Sequence, residues 1–481
     1  MYALTLIVSV STWFLAIRAP LWLDETVSYF IIKGKFSAIL SRQGWPGVPA
    51  YSYFLWLWTR ALGTQEITLR LLSVLAMLGA AYLLYRTAQE LFDRDIALVA
   101  AVVFCLRYSV RFASIDIRPY AFAALAINAS LFTLVRLRRS NSYWLAALFG
   151  FFAASIAYFQ FLFVVVLLPL VVCLFAIREG DPRIWWRQRG VALLVFGLAF
   201  LPVIPGMRYL FHTSGIHVFE DAPLFSYLVR TLAQKRMVYL LAMVFLVAAA
   251  MRRLDWRSRP AAWPTLLCAS MALIPILILY EVSVHTSIHV FVPRYRIVAA
   301  PGAALCWAFL VSRMNSRTLR LLFCMGIAGV SAYSTLSSPL ARSHDYSWKQ
   351  ALEVVEKNAA SDNTPVLLCS DLPESDYMPL PQGAAVKDSA LFAPLSYYPL
   401  SVPVVGLPRG LNDQAKQIAS RFVRQTGQRH QRFLALAFMA SWETLDWISD
   451  YSDPSYDMRE LGTFDGVQVL EYTPNHTNTQ R

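Results

Sequence analysis

The sequence predicts a mostly α-helical polytopic membrane protein, with about eleven transmembrane helices in residues 1–336 and a small α/β domain in residues 337–481. Three observations carry that prediction. Of the 481 residues, 57% are hydrophobic and only 15% are charged, which leaves too little polar surface for a soluble chain of this length. The apolar residues are grouped into runs near the roughly 20 residues that cross a bilayer, with short Arg-rich or aromatic stretches between them, and this excludes one large soluble core. After residue 337 the runs stop and the composition becomes that of a soluble domain.

The first run, Tyr2 to Ile17, has no basic residue before it and no small-residue cleavage site followed by a polar domain, so it reads as a retained span and not a removed signal peptide. Ten more follow at 66–85, 95–110, 119–136, 142–156, 160–177, 190–206, 237–251, 262–281, 297–312 and 318–336. Alternate connections carry Arg86/Arg94, Arg136/Arg138/Arg139, Arg178/Arg183/Arg187/Arg189, Arg252/Arg253/Arg257/Arg259 and Arg313/Arg317/Arg320. The positive-inside rule assigns these to the cytoplasm. The N-terminus is then cytoplasmic, and everything after about residue 337 is outside the membrane. The net charge of +13 is accounted for by this topology, and no nucleic-acid partner is called for. Tyr51 to Trp58 is apolar and aromatic but too short to span, and is expected in the interface.

In the C-terminal domain, Ser347 to Lys357 reads as an amphipathic helix, and Pro365–Cys369, Ser401–Val405, Phe433–Phe438 and Val467–Tyr472 read as strands. Alternation of strands and helices predicts a small α/β unit. It has no GxGxxG, so a dinucleotide is not expected. Cys105, Cys173, Cys268, Cys306, Cys324 and Cys369 form no CxxC pair and no disulfide framework. His285 and His289 share a helical face, but no Cys or carboxylate is read as completing a zinc shell around them. No metal ligand set and no certain cofactor are predicted; a divalent-ion requirement stays open.

Three connections on the translocated side carry residues fit for chemistry. Asp24 and Glu25, in Leu21-Trp22-Leu23-Asp24-Glu25-Thr26, are adjacent carboxylates at a membrane boundary, where burial is costly unless the acid is paired or functional. Arg111, Asp116, Arg118 and Tyr120 fall just before the fourth span, with Pro119 suited to the first turn of its helix. Arg294 and Tyr295, in Pro293-Arg294-Tyr295-Arg296, precede the tenth. Arginines delivered to one membrane depth are expected where an anionic headgroup is held.

The order of first span, W-x-D-E loop, R-P-Y opening a later span, P-R-Y near the last spans and an outer α/β domain resembles the GT-C glycosyltransferases. The likeness is to the bacterial family-39-like branch, related to protein O-mannosyltransferases and the lipid A aminoarabinose transferase. The resemblance implies inverting transfer of a sugar from a polyprenyl-phosphate carrier to a lipid, glycan or protein acceptor outside the cytoplasm. It implies Asp24 as the base that takes the acceptor's proton, with Glu25 as its neighbour. It implies Arg118, Tyr120 and Arg294 as binders of the lipid phosphate. One departure stands out: relatives carry a His-Tyr or similar pair at the start of the sixth span, where this chain has Tyr158-Phe159-Gln160-Phe161. A secondary transporter or lipid flippase of the envelope is the alternative, though no internal repeat is visible. A nonenzymatic assembly subunit would leave Asp24, Arg118 and Arg294 unexplained.

Overall fold

The computed structural model describes residues 1–43, 48–176, 182–213, 222–232, 235–255, 261–337, 348–453 and 455–475. Arg178, Arg257, Arg259 and Ser347, invoked above, lie outside the described residues. The chain forms two compact units, Met1–Arg18 with Trp45–Ala341 and Ala19–Gly44 with Arg342–Arg481. This differs from a single boundary at 336. The loop after the first span groups with the C-terminal body.

The first unit is helical, as a bilayer demands of a chain whose backbone groups must be satisfied internally. Among the described residues, six helices are long and apolar enough to cross a membrane: Glu66–Leu91, Tyr120–Arg138, Arg183–Leu210, Ala262–His285, Tyr295–Ser312 and Arg317–Ser337. Two more segments pass the same test as bent pairs, Arg94–Leu106 with Tyr108–Ser114 (70°) and Phe225–Leu232 with Met237–Ala250 (47°). Three shorter apolar helices, Tyr2–Ala16, Tyr143–Phe159 and Phe161–Phe175, occupy the remaining segments read from the sequence. Between the spans, Ala50–Leu62 is a helix that includes the aromatic Tyr51–Trp58 stretch.

Local chemistry starts and joins these helices. Asp93 accepts a hydrogen bond from Ile96 N at 2.8 Å, and Ser142 accepts one from Leu145 N at 3.3 Å, each satisfying an orphan N–H of a first turn. Small residues let backbones approach: a Cβ at Gly302 would collide with the Met271 and Ala272 backbone, and one at Gly150 with the backbone of Ala192 and Phe196. The Arg-rich ends are tied by ion pairs, with Arg136 and Arg139 both on Glu90 (2.9 and 2.8 Å), Arg317 on Asp95 (2.8 Å) and Arg320 on Asp93 (3.0 Å).

The second unit contains α1 (Leu23–Ile32), α2 (Trp348–Ala359), β1 (Val366–Cys369), α3 (Pro394–Tyr397), β2 (Val404–Leu407), α4 (Asp413–Gln428), β3 (Phe433–Phe438), α5 (Trp442–Ser452), β4 (Tyr456–Phe464) and β5 (Val467–Pro474). The sheet order is β2-β1-β3-β5-β4. β1 is parallel to β2 and β3, with Leu367 opposite Val405 and Ala435, while β5 runs antiparallel to β3 and β4. Every residue of β1 and β3 is buried, as expected of strands covered on both faces. β2 begins at Val404, three residues after the predicted Ser401; Val366 N donates to Pro403 O, but Pro403 itself has no N–H to give to the ladder. β4 was not predicted: its sequence Tyr-Asp-Met-Arg-Glu-Leu-Gly-Thr-Phe is mostly exposed at the sheet edge and lacks an apolar alternation.

Candidate functional site

The eight predicted residues fall into two groups, one in each unit. In the second unit, Asp24 and Glu25 occupy the first turn of α1. Their fates differ. Glu25 is fully buried and reaches back to accept the Trp22 N–H at 3.3 Å, which is half of a capping box. Asp24 is partly exposed, and its backbone carbonyl accepts from Ser28 Oγ at 3.1 Å. The helix is anchored within its unit. Leu21 N donates to Tyr398 Oη at 2.8 Å, and the Tyr29 and Tyr397 rings meet edge-on at 4.8 Å. Arg42 donates to the carbonyls of Lys33 and Phe30 and pairs with Asp388 at 3.5 Å. The Glu25 carboxylate therefore shapes the backbone, while Asp24 keeps partial access to solvent.

Asp371 and Arg409 were missed in the sequence. Asp371 follows β1, is 9% exposed, and interacts electrostatically with Asp24 and Arg409. Burial is the first cause that lifts its carboxyl to about 7; Arg409 opposes the rise and Asp24 adds to it. An available signal was the Ser-Asp step that ends the apolar Val-Leu-Leu-Cys strand, since groups at the carboxyl ends of parallel strands often face ligands.

In the first unit, the 111–120 segment and the 293–296 segment come together. The rings of Tyr120 and Tyr295 meet edge-on at 6.1 Å, and Tyr120 also stacks on Phe163 at 6.2 Å. Asp116 is fully buried, and its backbone carbonyl accepts from Ser73 Oγ at 2.6 Å. Pro119 caps the helix that opens at Tyr120, which fixes Arg118 and Tyr120 at its mouth. Arg294 lies over the Tyr295 ring at 5.5 Å, and Arg111 is partly buried on the short helix after the bend. Two further arginines converge on Thr231. Arg107, 3% exposed, donates to its carbonyl at 3.3 Å, and Arg296 donates to its hydroxyl at 3.0 Å. Arg107 is one of the basic residues that the sequence keeps on the translocated side, in the 107–118 connection, and it sits at the break between Leu106 and Tyr108. Guanidinium groups gathered at a span mouth favour an anion there.

Gln160 ends the Tyr143–Phe159 helix, and the preceding Tyr158 donates to Ala199 O at 2.6 Å. The Ala262–His285 helix ends at His285 and His289 lies beyond it, so the two do not share the helical face expected of them; Glu281, one turn before His285, pairs with it at 3.0 Å. Among the described residues, no three His, Cys, Asp or Glu side chains are arranged to hold a metal ion.

Residues 46–209, about a third of the chain, match the family described as dolichyl-phosphate-mannose-protein mannosyltransferase. In three dimensions the chain is similar to ArnT from Cupriavidus metallidurans bound to undecaprenyl phosphate. That likeness covers 98% of this chain and 97% of ArnT at 13% identity, with a TM-score of 0.54. The fold is that of the GT-C glycosyltransferases. The GT-C likeness extends to the Archaeoglobus fulgidus oligosaccharyltransferase in its apo form, at 11% identity and a TM-score of 0.51, over 99% of this chain and 75% of that one. No curated protein matches the sequence. A GT-C fold agrees with the helical first unit and with the small sheet of the second.

Proposed function

We propose that this membrane protein transfers a sugar from a polyprenyl-phosphate carrier to an acceptor on the extracytoplasmic side, with Asp24 as the general base. The observation that carries the reading is the difference between the two acids on α1: Glu25 is buried against its own helix end, while Asp24 is partly exposed beside it. The proton of the acceptor O–H or N–H passes to the Asp24 carboxylate as the acceptor atom attacks the anomeric carbon. The bond from that carbon to the phosphate oxygen breaks from the opposite face, its electron pair stays on the phosphate, and polyprenyl phosphate leaves with the sugar inverted. Arg118, Arg294 and Arg111 are the groups that would neutralise the leaving phosphate, with Asp116, Tyr120 and Tyr295 completing the proposed substrate-binding set. The family match over 46–209 and the undecaprenyl phosphate bound to ArnT support a lipid-phosphate donor. Periplasmic placement of the second unit rests on the arginine asymmetry between connections.

The test is release of undecaprenyl phosphate from a panel of undecaprenyl-phosphate sugars by the purified full-length protein. Asp24→Asn should lose about 10²–10⁴ in turnover, the usual loss for a general base, while still binding donor. Glu25→Gln keeps an acceptor oxygen for the Trp22 N–H and should be milder. Full activity in Asp24→Asn would refute the assignment. The 70° break after Leu106 is the feature that favours transport, since transporters use broken spans at their sites. Movement of the lipid across the bilayer with no bond cleaved would establish that alternative.

A further inference from the structure

Arg107 is the single residue, extended at φ −65° and ψ 136°, between the helices Arg94–Leu106 and Tyr108–Ser114, which meet at 70°. Packing fixes the frame around it. Val103, Phe104, Cys105, Leu106 and Val110 are buried, and Trp13 Nε1 donates to Cys105 O at 2.9 Å. The next turn closes on Arg107 itself, whose carbonyl accepts from Arg111 N at 3.0 Å. The side chain is 3% exposed and engages the Thr231 carbonyl through Nη2. Its Nε and Nη1 are buried without a hydrogen-bond partner, and no carboxylate pairs with it among the described residues. A buried cation without a counter-charge is costly. A guanidinium carries five N–H donors, and most of these remain for an oxyanion.

The same threonine brings in a second cation. Thr231 is buried on the helix Phe225–Leu232 and donates its hydroxyl to Tyr227 O at 2.8 Å, which leaves the lone pairs of that oxygen for Arg296 Nη1 at 3.0 Å. Arg296 also lies over the Phe291 ring at 5.2 Å, and Phe291 N donates to the buried Ser283 Oγ at 2.8 Å. Two guanidinium groups are thereby fixed on one residue. Like charges gathered in a partly dry site repel unless they share an anion. A phosphate monoester carries at most about two negative charges at neutral pH, and Arg118, Arg294 and Arg111 are already assigned to the leaving phosphate. We propose that Arg107 and Arg296, bridged by Thr231, form a second oxyanion site in the first unit, which takes a phosphate group other than the leaving one. A lipid headgroup and free phosphate present the same chemistry to it. The site does not depend on Asp24 being the base.

The experiment is native mass spectrometry, with melting temperatures measured in parallel, on delipidated full-length protein in detergent. Undecaprenyl phosphate is added to saturation, followed by phosphatidylglycerol or inorganic phosphate, with diacylglycerol as the control that lacks phosphate. The wild type should reach two bound phosphate groups. Arg107→Gln and Arg296→Gln should each lose one of them, by about tenfold to a hundredfold in affinity, the value of a charge-assisted contact, and keep the other. A second group supplied by either lipid assigns the site to a headgroup, one supplied by inorganic phosphate alone assigns it to the free ion, and diacylglycerol should supply none. A wild type that saturates at one phosphate overturns the proposal. Arg107→Gln keeps a donor for the Thr231 carbonyl, so a lower melting temperature with both phosphates retained would mean that Arg107 only ties helix ends, and overturns it too. Should Arg107→Gln fail to accumulate, an Arg296→Gln protein that keeps both phosphates overturns it instead. The two readings fail separately: full transfer by Asp24→Asn refutes the base and leaves this site standing, whereas an inactive Asp24→Asn with one phosphate bound refutes only the site.

Discussion

Arg432 offers a sharp test of how the second unit is held together. Its guanidinium joins three segments, with Nε on Asp362 Oδ2 at 2.7 Å, Nη1 on Glu471 Oε1 at 2.7 Å and Nη2 on Asn358 O at 2.5 Å. The arms are not equal, because the Asp362 side chain is 47% exposed and that of Glu471 only 10%. The exposed arm is discounted for solvent to at most about 1 kcal/mol. Losing the other leaves a mostly buried carboxylate on β5 without its cation, which puts Arg432→Met at about 2–4 kcal/mol in all. Hydrogen exchange of the full-length protein in detergent should show protection at β3 and β5 falling by about thirtyfold to a thousandfold in Arg432→Met, and by no more than about fivefold in Asp362→Asn. The Arg432 hydrogen bond, helped by Thr364, holds the Asp362 carboxyl down at about 2. A depressed carboxyl contributes stability that is fully present above its ordinary value near 3.8 and is lost as pH falls through about 2. The Asp362→Asn effect should therefore vanish in strong acid. Equal losses in the two variants at neutral pH, or no loss in Arg432→Met, would refute the argument.

Other expectations are as direct. Arg118→Ala and Arg294→Ala should each weaken donor use by about one to two decades, the value of a charge-assisted contact to phosphate; wild-type kinetics at all donor concentrations would exclude phosphate binding by this pair. Gly302→Ala should lower the melting temperature in detergent, since overpacking against the Met271 and Ala272 backbone costs about 1–3 kcal/mol, whereas Gly329→Ala, with open space around it, should not. Burial lifts the Cys369 thiol to about 12, so peptide mapping should find it unlabelled by maleimide at pH 8 until the protein is denatured.

The membrane segments were legible because the length of an apolar run is local information, and each segment read from the sequence is occupied by an apolar helix. Asp24 was legible for a similar reason, as an acid beside a span is conspicuous wherever the chain goes next. Glu25 was not separable from it, because the distinction lies in a hydrogen bond to Trp22 that adjacency does not reveal. Asp371 is an ordinary acid in the sequence and becomes unusual only through the packing that buries it. The edge strand β4 was hidden by its own polarity, which is what keeps an exposed edge from pairing with other chains.

The affiliation of residues 19–43 with the C-terminal body also sets an order of events during synthesis. α1 is made long before its anchor, since the hydroxyl that holds Leu21 belongs to Tyr398, 377 residues later. At roughly 5–20 residues per second, that interval is on the order of 20–75 s. Throughout it, Leu23, Phe30, Ile31 and Ile32, all buried in the finished protein, have no sheet domain to cover them. The segment stays without that cover until the rest of its unit has been made. A nascent chain stopped at the final span would carry the proposed base on an unsupported loop, because the tyrosines that hold α1 come only after that span.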